Sequence, residues 1–245
     1  MKNRKLKLFA RPSVFLLIAL AFANCSAVKT ASRGEPKEEA DFTESPTQTL
    51  NAWQVDFEED FSNYLVGVEP ESMFVLDGAY AVREESGQKV LTLPGSPVGD
   101  FGFLFGPRVR EKTLELEFSF KSERKGRRYP SVAAGLGGVR AYRFRLNPAA
   151  RKLMVHADDR LLAERPFVWK AGVWWKARFQ ATALSEDSSV VRLKLWPLTE
   201  EEPDSWLFEE ESDFAFKGGK CAIWGYPYAG TEIHFDELII RSKES

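Results

Sequence analysis

From Trp53 onward, apolar and polar residues alternate in short runs separated by Gly, Pro, Asn and Asp. Strict alternation is the period of a strand with one buried face, because successive side chains point to opposite sides of a sheet. The clearest runs are KTLELEFSFK from Lys112, RAYRFRLNP from Arg140, RKLMVHAD from Arg151, WWKARFQAT from Trp174, VVRLKLWP from Val190, KCAIWGY from Lys220 and EIHFDELIIR from Glu232. Between them lie ERKGRRYPS, NPAA, ADD, LSEDSS and PYAGTE, each with turn chemistry. No helical period longer than about two turns competes. Roughly ten or more short strands in about 190 residues predict an all-β, antiparallel two-sheet sandwich over residues 51–245.

The same alternation sorts the faces. Leu114, Leu116, Phe118 and Phe120 point one way, and Glu115, Glu117 and Ser119 the other. Tyr142, Phe144 and Leu146 oppose Arg143 and Arg145, while Val191, Leu193 and Leu195 oppose Arg192, Lys194 and Trp196. Trp196 therefore interrupts a charged outer face, and Trp206 follows it beyond the acidic loop LTEEEPDSW.

The N-terminal part reads differently. Lys2, Arg4, Lys5, Lys7 and Arg11 precede the apolar run VFLLIALAFA, Val14 to Ala23, which is too short to span a bilayer comfortably. These are the parts of a signal peptide over residues 1–24. The expected location is outside the cytoplasm: the cell envelope, as an outer-membrane lipoprotein or in the periplasm, or the extracellular space. Cys25, in AFANCSA, stands where a lipoprotein carries its lipidated cysteine. The stretch resembles a lipobox but has Phe22 in the aliphatic place and Asn24 in the small one. Simple cleavage after Ala23 and a Cys25–Cys221 disulfide are the other readings. Residues 25–50 hold few large apolar groups and predict a disordered linker, with a lipid at Cys25 as the one membrane contact.

Charge then narrows the partners. The chain carries 34 basic and 36 acidic residues, and removal of the five leader cations leaves 29 against 36, a net charge of −7. That balance gives no electrostatic footprint for nucleic acid.

Several stretches together resemble concanavalin A-like jelly-roll domains of exported bacterial proteins. They are Gly172 to Trp175 ahead of a strand, Trp196 at a strand end, Glu202 to Trp206 as a Glu-Pro-x-x-Trp loop, Gly218 to Trp224 as a Gly-rich strand, and Phe235 to Ile239 as the closing strand. FEEDFSN and MFVLDGAYAV are weaker echoes near the start. The resemblance covers roughly residues 53–241. It implies a sandwich with a concave face, shared by lectins, laminin-G-like modules and family 16 glucanases. It also implies that Trp206 folds back as a structural corner.

The candidate chemistry follows. The glucanase-like spacing Glu39-Ala-Asp41-Phe-Thr-Glu44 falls in the linker, where nothing rigid would hold its carboxylates, and is set aside. Glu115 and Glu117 stand roughly 6.5 to 7 Å apart on one face, near the separation of an inverting glycosidase pair. Side by side, they leave no room for a sugar, so a cross-strand polar ladder with Arg143, Arg145, Arg178 or Lys194 is expected instead. The polar face formed by Glu115, Glu117, Arg143, Arg145, Trp174, Lys176, Arg178, Arg192, Lys194 and Trp196 is the candidate ligand site. Indole rings suit sugar faces, and Arg and Glu suit hydroxyls. A merely solvated sheet is the competing reading.

His156 and His234 stand alone on strands, without zinc spacing. Asp60 and Asp236 are placed to share a structural Ca²⁺ or to serve their own turns, and no other cofactor is implied. Cys221 alternates inward as an inert thiol. No Ser-His-Asp elbow, phosphate loop or dinucleotide fingerprint is present. The function expected is non-catalytic binding of a glycan or another cell-surface ligand by a tethered jelly roll. A glycoside-active enzyme and a purely structural envelope lipoprotein are the alternatives.

Overall fold

A computed structural model describes residues 52–97 and 99–245. The expected signal peptide, the expected linker with its Glu39–Glu44 stretch, and Cys25 with its lipid and disulfide readings lie outside the described residues. In chain order the strands are β1 (Gln54–Glu59), β2 (Met73–Val75), β3 (Ala81–Glu85), β4 (Gln88–Leu93), β5 (Phe101–Arg110), β6 (Lys112–Ser122), β7 (Ser131–Leu136) and β8 (Tyr142–Asn147). They continue as β9 (Lys152–Ala157), β10 (Arg160–Pro166), β11 (Trp175–Ala183), β12 (Ser189–Pro197), β13 (Phe208–Ser212), β14 (Gly218–Tyr226) and β15 (Ile233–Glu244).

Two antiparallel sheets result, and they do not close into a barrel. The first runs β13, β12, β11, β6, β15, β4, β3, with β1 also on β15; the second runs β10, β9, β8, β7, β14, β5, β2. Every run named from alternation is a strand, because the apolar set of each has an opposing sheet to cover it. Between the sheets the packing is aromatic. Phe118 of β6 stacks on Phe144 of β8 with ring centroids 6.2 Å apart, Phe144 meets Phe179 edge-on at 5.2 Å, and Phe103 meets Phe235 at 6.1 Å. Burial of each such ring contributes about 1.5–3 kcal/mol.

Strand β6 departs from the simple reading. Its outward residues Glu115, Glu117 and Ser119 are also buried, at no more than 6% exposed. Long side chains from β11 and β15 lie across them, so orientation away from the core does not mean exposure.

Strand β15 carries a bulge between Asp236 and Ile239, with Glu237 at φ 50°. The extra residue restores the inward phase for Leu238 and Ile240 and aims Glu237 at the neighbouring strands.

Candidate functional site

The outer face of the first sheet is a closed set of ion pairs. Glu117 stands opposite Arg178 in the β6–β11 register, and Glu115 stands between Gln180 and Arg241. Arg178 Nε donates to Glu117 Oε2 at 3.0 Å, and Arg241 Nη1 donates to Glu115 Oε1 and Glu117 Oε2, each at 3.2 Å. Lys176 Nζ lies 3.4 Å from Glu117 and 2.8 Å from Glu237, whose carboxylate also accepts from Ser119 Oγ at 2.8 Å. Arg178 and Lys194 are directly opposed like charges, a destabilising arrangement alone. Glu202, from the loop after β12, neutralises both by accepting from Arg178 at 2.7 Å and Lys194 at 2.9 Å.

Burial alone would raise the Glu117 carboxyl, but hydrogen bonding and charge from Arg178, then Lys176 and Arg241, hold it below the usual glutamate range. A glycosidase pair needs one carboxyl that keeps its proton and one free base. Here both glutamates are engaged by guanidinium groups, and the pair forms the expected cross-strand ladder.

The ladder's membership corrects the expectation. Arg143 and Arg145 lie on β8 in the second sheet and face away from the glutamates. Strand parity gives inward or outward, whereas sheet membership depends on pairing. Glu202, Glu237 and Arg241 complete the set and went unassigned in the sequence reading. The signal for Glu237 was the three-residue step from Phe235 to Leu238. Arg241 follows Ile239 by two, and nothing local marked Glu202.

The tryptophans also differ from expectation. Trp196 points outward but is only 6% exposed, so it offers no open platform. Trp206 is half-buried, and Lys194 Nζ stands 4.9 Å from its ring. Trp174 is half-buried beside the same strand end, and its carbonyl accepts from Leu198 N at 2.8 Å, pinning the loop. Trp196 and Trp206, with Trp175 rather than Trp174, line a cleft of about 460 Å³ whose walls also include Val168, Glu200, Glu201 and Ser205. Another cleft of about 500 Å³, lined by Glu85, Lys121, Thr231, Glu232 and His234, has no indole or phenyl ring.

Asp60 and Asp236 serve their own turns. Asp60 Oδ1 accepts from Ser62 N at 3.0 Å and Ser62 Oγ at 2.7 Å, and Asp236 Oδ1 accepts from Glu237 N at 2.8 Å. Among the described residues no group of three or more His, Cys, Asp or Glu side chains is arranged to hold a metal, so the calcium reading gains no ligand set. His156 and His234 sit apart on β9 and β15. Cys221 is fully buried, and burial pushes its thiol far up.

Burial raises Asp236 to about 6, opposed by the Glu237 amide and reinforced by the charges of Glu237 and Asp60. A carboxyl raised on folding penalises the native state at high pH. The penalty is absent below about pH 4, the unfolded value, and complete above the folded one. Asp236→Asn is therefore expected to gain about 1 kcal/mol at pH 7.5, after discounting for partial exposure, and nothing at pH 3.5. Urea melts at both pH values measure this; a gain equal at both would remove the charge as its cause.

No protein-family model matches the chain, and no curated protein matches it. Solved structures do. The carbohydrate recognition domain of Emp47p superposes with a TM-score of 0.56 at 9% identity, over 78% of this chain and 97% of that one. A CBM2 module of the evolved Dit of Lactobacillus casei BL23 phage J-1 gives 0.53 at 8% identity, over 80% and 98%. Lectin UEA-II, complexed with galactose, gives 0.50 at 11% identity, over 78% and 100%. The fold is concanavalin A-like. On this concanavalin A-like sandwich, the ion-pair face spans β12, β11, β6 and β15 of the first sheet, and the tryptophan cleft lies beside β11 and β12.

Proposed function

We propose that the chain is a non-catalytic glycan-binding domain, exported and held at the cell surface through its N-terminal segment. The observation that carries the binding role is the cleft beside Trp206. There a half-exposed indole, next to a buried one, meets Glu200, Glu201 and Ser205 from one loop. Indole stacks on the apolar face of a sugar, and the carboxylates and hydroxyl bond its OH groups. Similar folds named as a carbohydrate recognition domain and a galactose-complexed lectin support the reading. Engagement of Glu115 and Glu117 by arginines supports binding over hydrolysis. A purely structural role is favoured by one observation, the full pairing of the ion network.

A glycan array probed with the purified chain should yield ligands whose affinity falls by roughly 1–3 kcal/mol in Trp206→Ala, through lost stacking. An empty array, or unchanged affinity in the variant, would return the face to a structural role. The tether has its own check. Fatty-acid labelling in a lipoprotein-processing bacterial host should be present in the native chain and absent from Cys25→Ser. An unlabelled native chain would leave simple secretion.

A further inference from the structure

The outer face of the second sheet has the opposite electrostatic design. At its centre the indole of Trp224 lies flat across β5, β14 and β7. A Cβ at Gly102 would come within 2.4 Å of its Cδ1, and one at Gly135 within 3.0 Å of its Cζ3, so glycine at both positions makes the bed for the ring. Ala133 and Ala222 complete that bed. Over these rings stand two arginines from alternate positions of β8. The Arg143 guanidinium is 5.5 Å from the Trp224 centroid, and that of Arg145 is 4.1 Å from the Tyr226 centroid.

Neither guanidinium enters an ion pair among the described residues, whereas every cation central to the first sheet's outer face does. Asp159 stands close enough to act on His156 and Asp100 to act on Tyr226, but neither pairs with Arg143 or Arg145 among the described residues. Glu164 bonds Lys152 at 2.6 Å, and Asp100 lies by Tyr226, where burial and its charge push the phenol up to about 12 and keep it neutral. Arg145 Nε and, one strand over from Arg143, His156 Nδ1 are enclosed without a hydrogen-bond partner. Phe74, 65% exposed on β2, extends the apolar part of the face. A net-acidic chain thus leaves two guanidinium groups over aromatic rings, and outside any ion pair among the described residues, on one face. Guanidinium groups carried over aromatic rings present planar donor forks, the match for carboxylate or sulfate oxygens.

We propose that this face binds an acidic polysaccharide, one whose sugars carry carboxylate or sulfate groups, with Arg143 and Arg145 as the anion contacts. The site is on the other sheet from the Trp206 cleft and does not rest on it. Binding of the purified chain is measured to polygalacturonate, dextran sulfate, uncharged dextran and phosphatidylglycerol vesicles at low and moderate salt.

Binding to polygalacturonate or dextran sulfate, but not to dextran, is expected, weakening as salt rises. It should fall at least about tenfold in Arg143→Gln/Arg145→Gln and be untouched by Trp206→Ala. Which acidic polymer binds identifies carboxylate or sulfate as the anion. Because the arginines cover Trp224, Arg143→Lys/Arg145→Lys serves as a second variant that keeps charge and stem. It should fold with an unchanged thermal midpoint and bind at least about threefold weaker, having lost the fork. No binding to either acidic polymer, arginine-independent binding, a lysine variant as tight as the native chain, or a preference for the vesicles would each overturn the proposal.

Discussion

Trp196→Ala is expected to cost about 3 to 5 kcal/mol of stability, the range for truncating a buried aromatic ring. The indole leaves β12 on the face away from the core, opposite Lys176, yet it is 6% exposed. The loop of residues 198–207 crosses this part of the sheet. Glu202 is bonded to Arg178 and Lys194, and Trp206 stands over Lys194. Removing the ring would empty the space beneath that loop, and the ion pairs holding the loop down would limit its collapse. Trp206, half-buried, should cost clearly less. Urea unfolding of both variants measures the difference, and a Trp196→Ala loss below about 1 kcal/mol would mean that the loop stands off the sheet in solution.

Glu117→Gln is expected to cost about 3 kcal/mol. Glu117 is 5% exposed and touches Arg178, Lys176 and Arg241. The amide keeps the shape but leaves these cations with less compensating charge in a site already removed from water. The sign of the pH dependence follows from the lowered carboxyl. Its contribution is complete above the unfolded-state value and is lost as pH falls through the folded-state value. The gap between native chain and variant should therefore be full at pH 7 and close below about pH 4. A gap under about 1 kcal/mol at neutral pH would class the network with weak surface pairs.

These two residues mark what alternation conveys. It placed Trp196 and Glu117 outward, correctly, because a period of two fixes the side of the sheet on which a side chain emerges. It could not say what lies above them. Their cover comes from Glu202 in a loop, from Arg241 at the far end of the chain and from Glu237 on a bulge, contacts set by tertiary path. The same limit separated Arg143 and Arg145 from Glu115 and Glu117. All four emerge outward, but from strands that pair into different sheets. The fold itself was legible because each run repeats the pattern and the Gly-, Trp- and Pro-marked stretches resemble one architecture. The tryptophan cleft was only partly legible: Trp196 and Trp206 stood out in the chain, while the part of Val168 and of Glu200, Glu201 and Ser205 depends on the course of two loops.

Cys221 makes the sandwich its own reporter. The thiol lies between Phe105 and Leu136 in the register of β14, wholly enclosed and far from ionising. Thiolate is the reacting form, so an alkylating reagent can label this position only in molecules whose sheets have come apart. The sequence holds two cysteines, so in Cys25→Ser the labelling rate becomes a single-site clock for opening of the core.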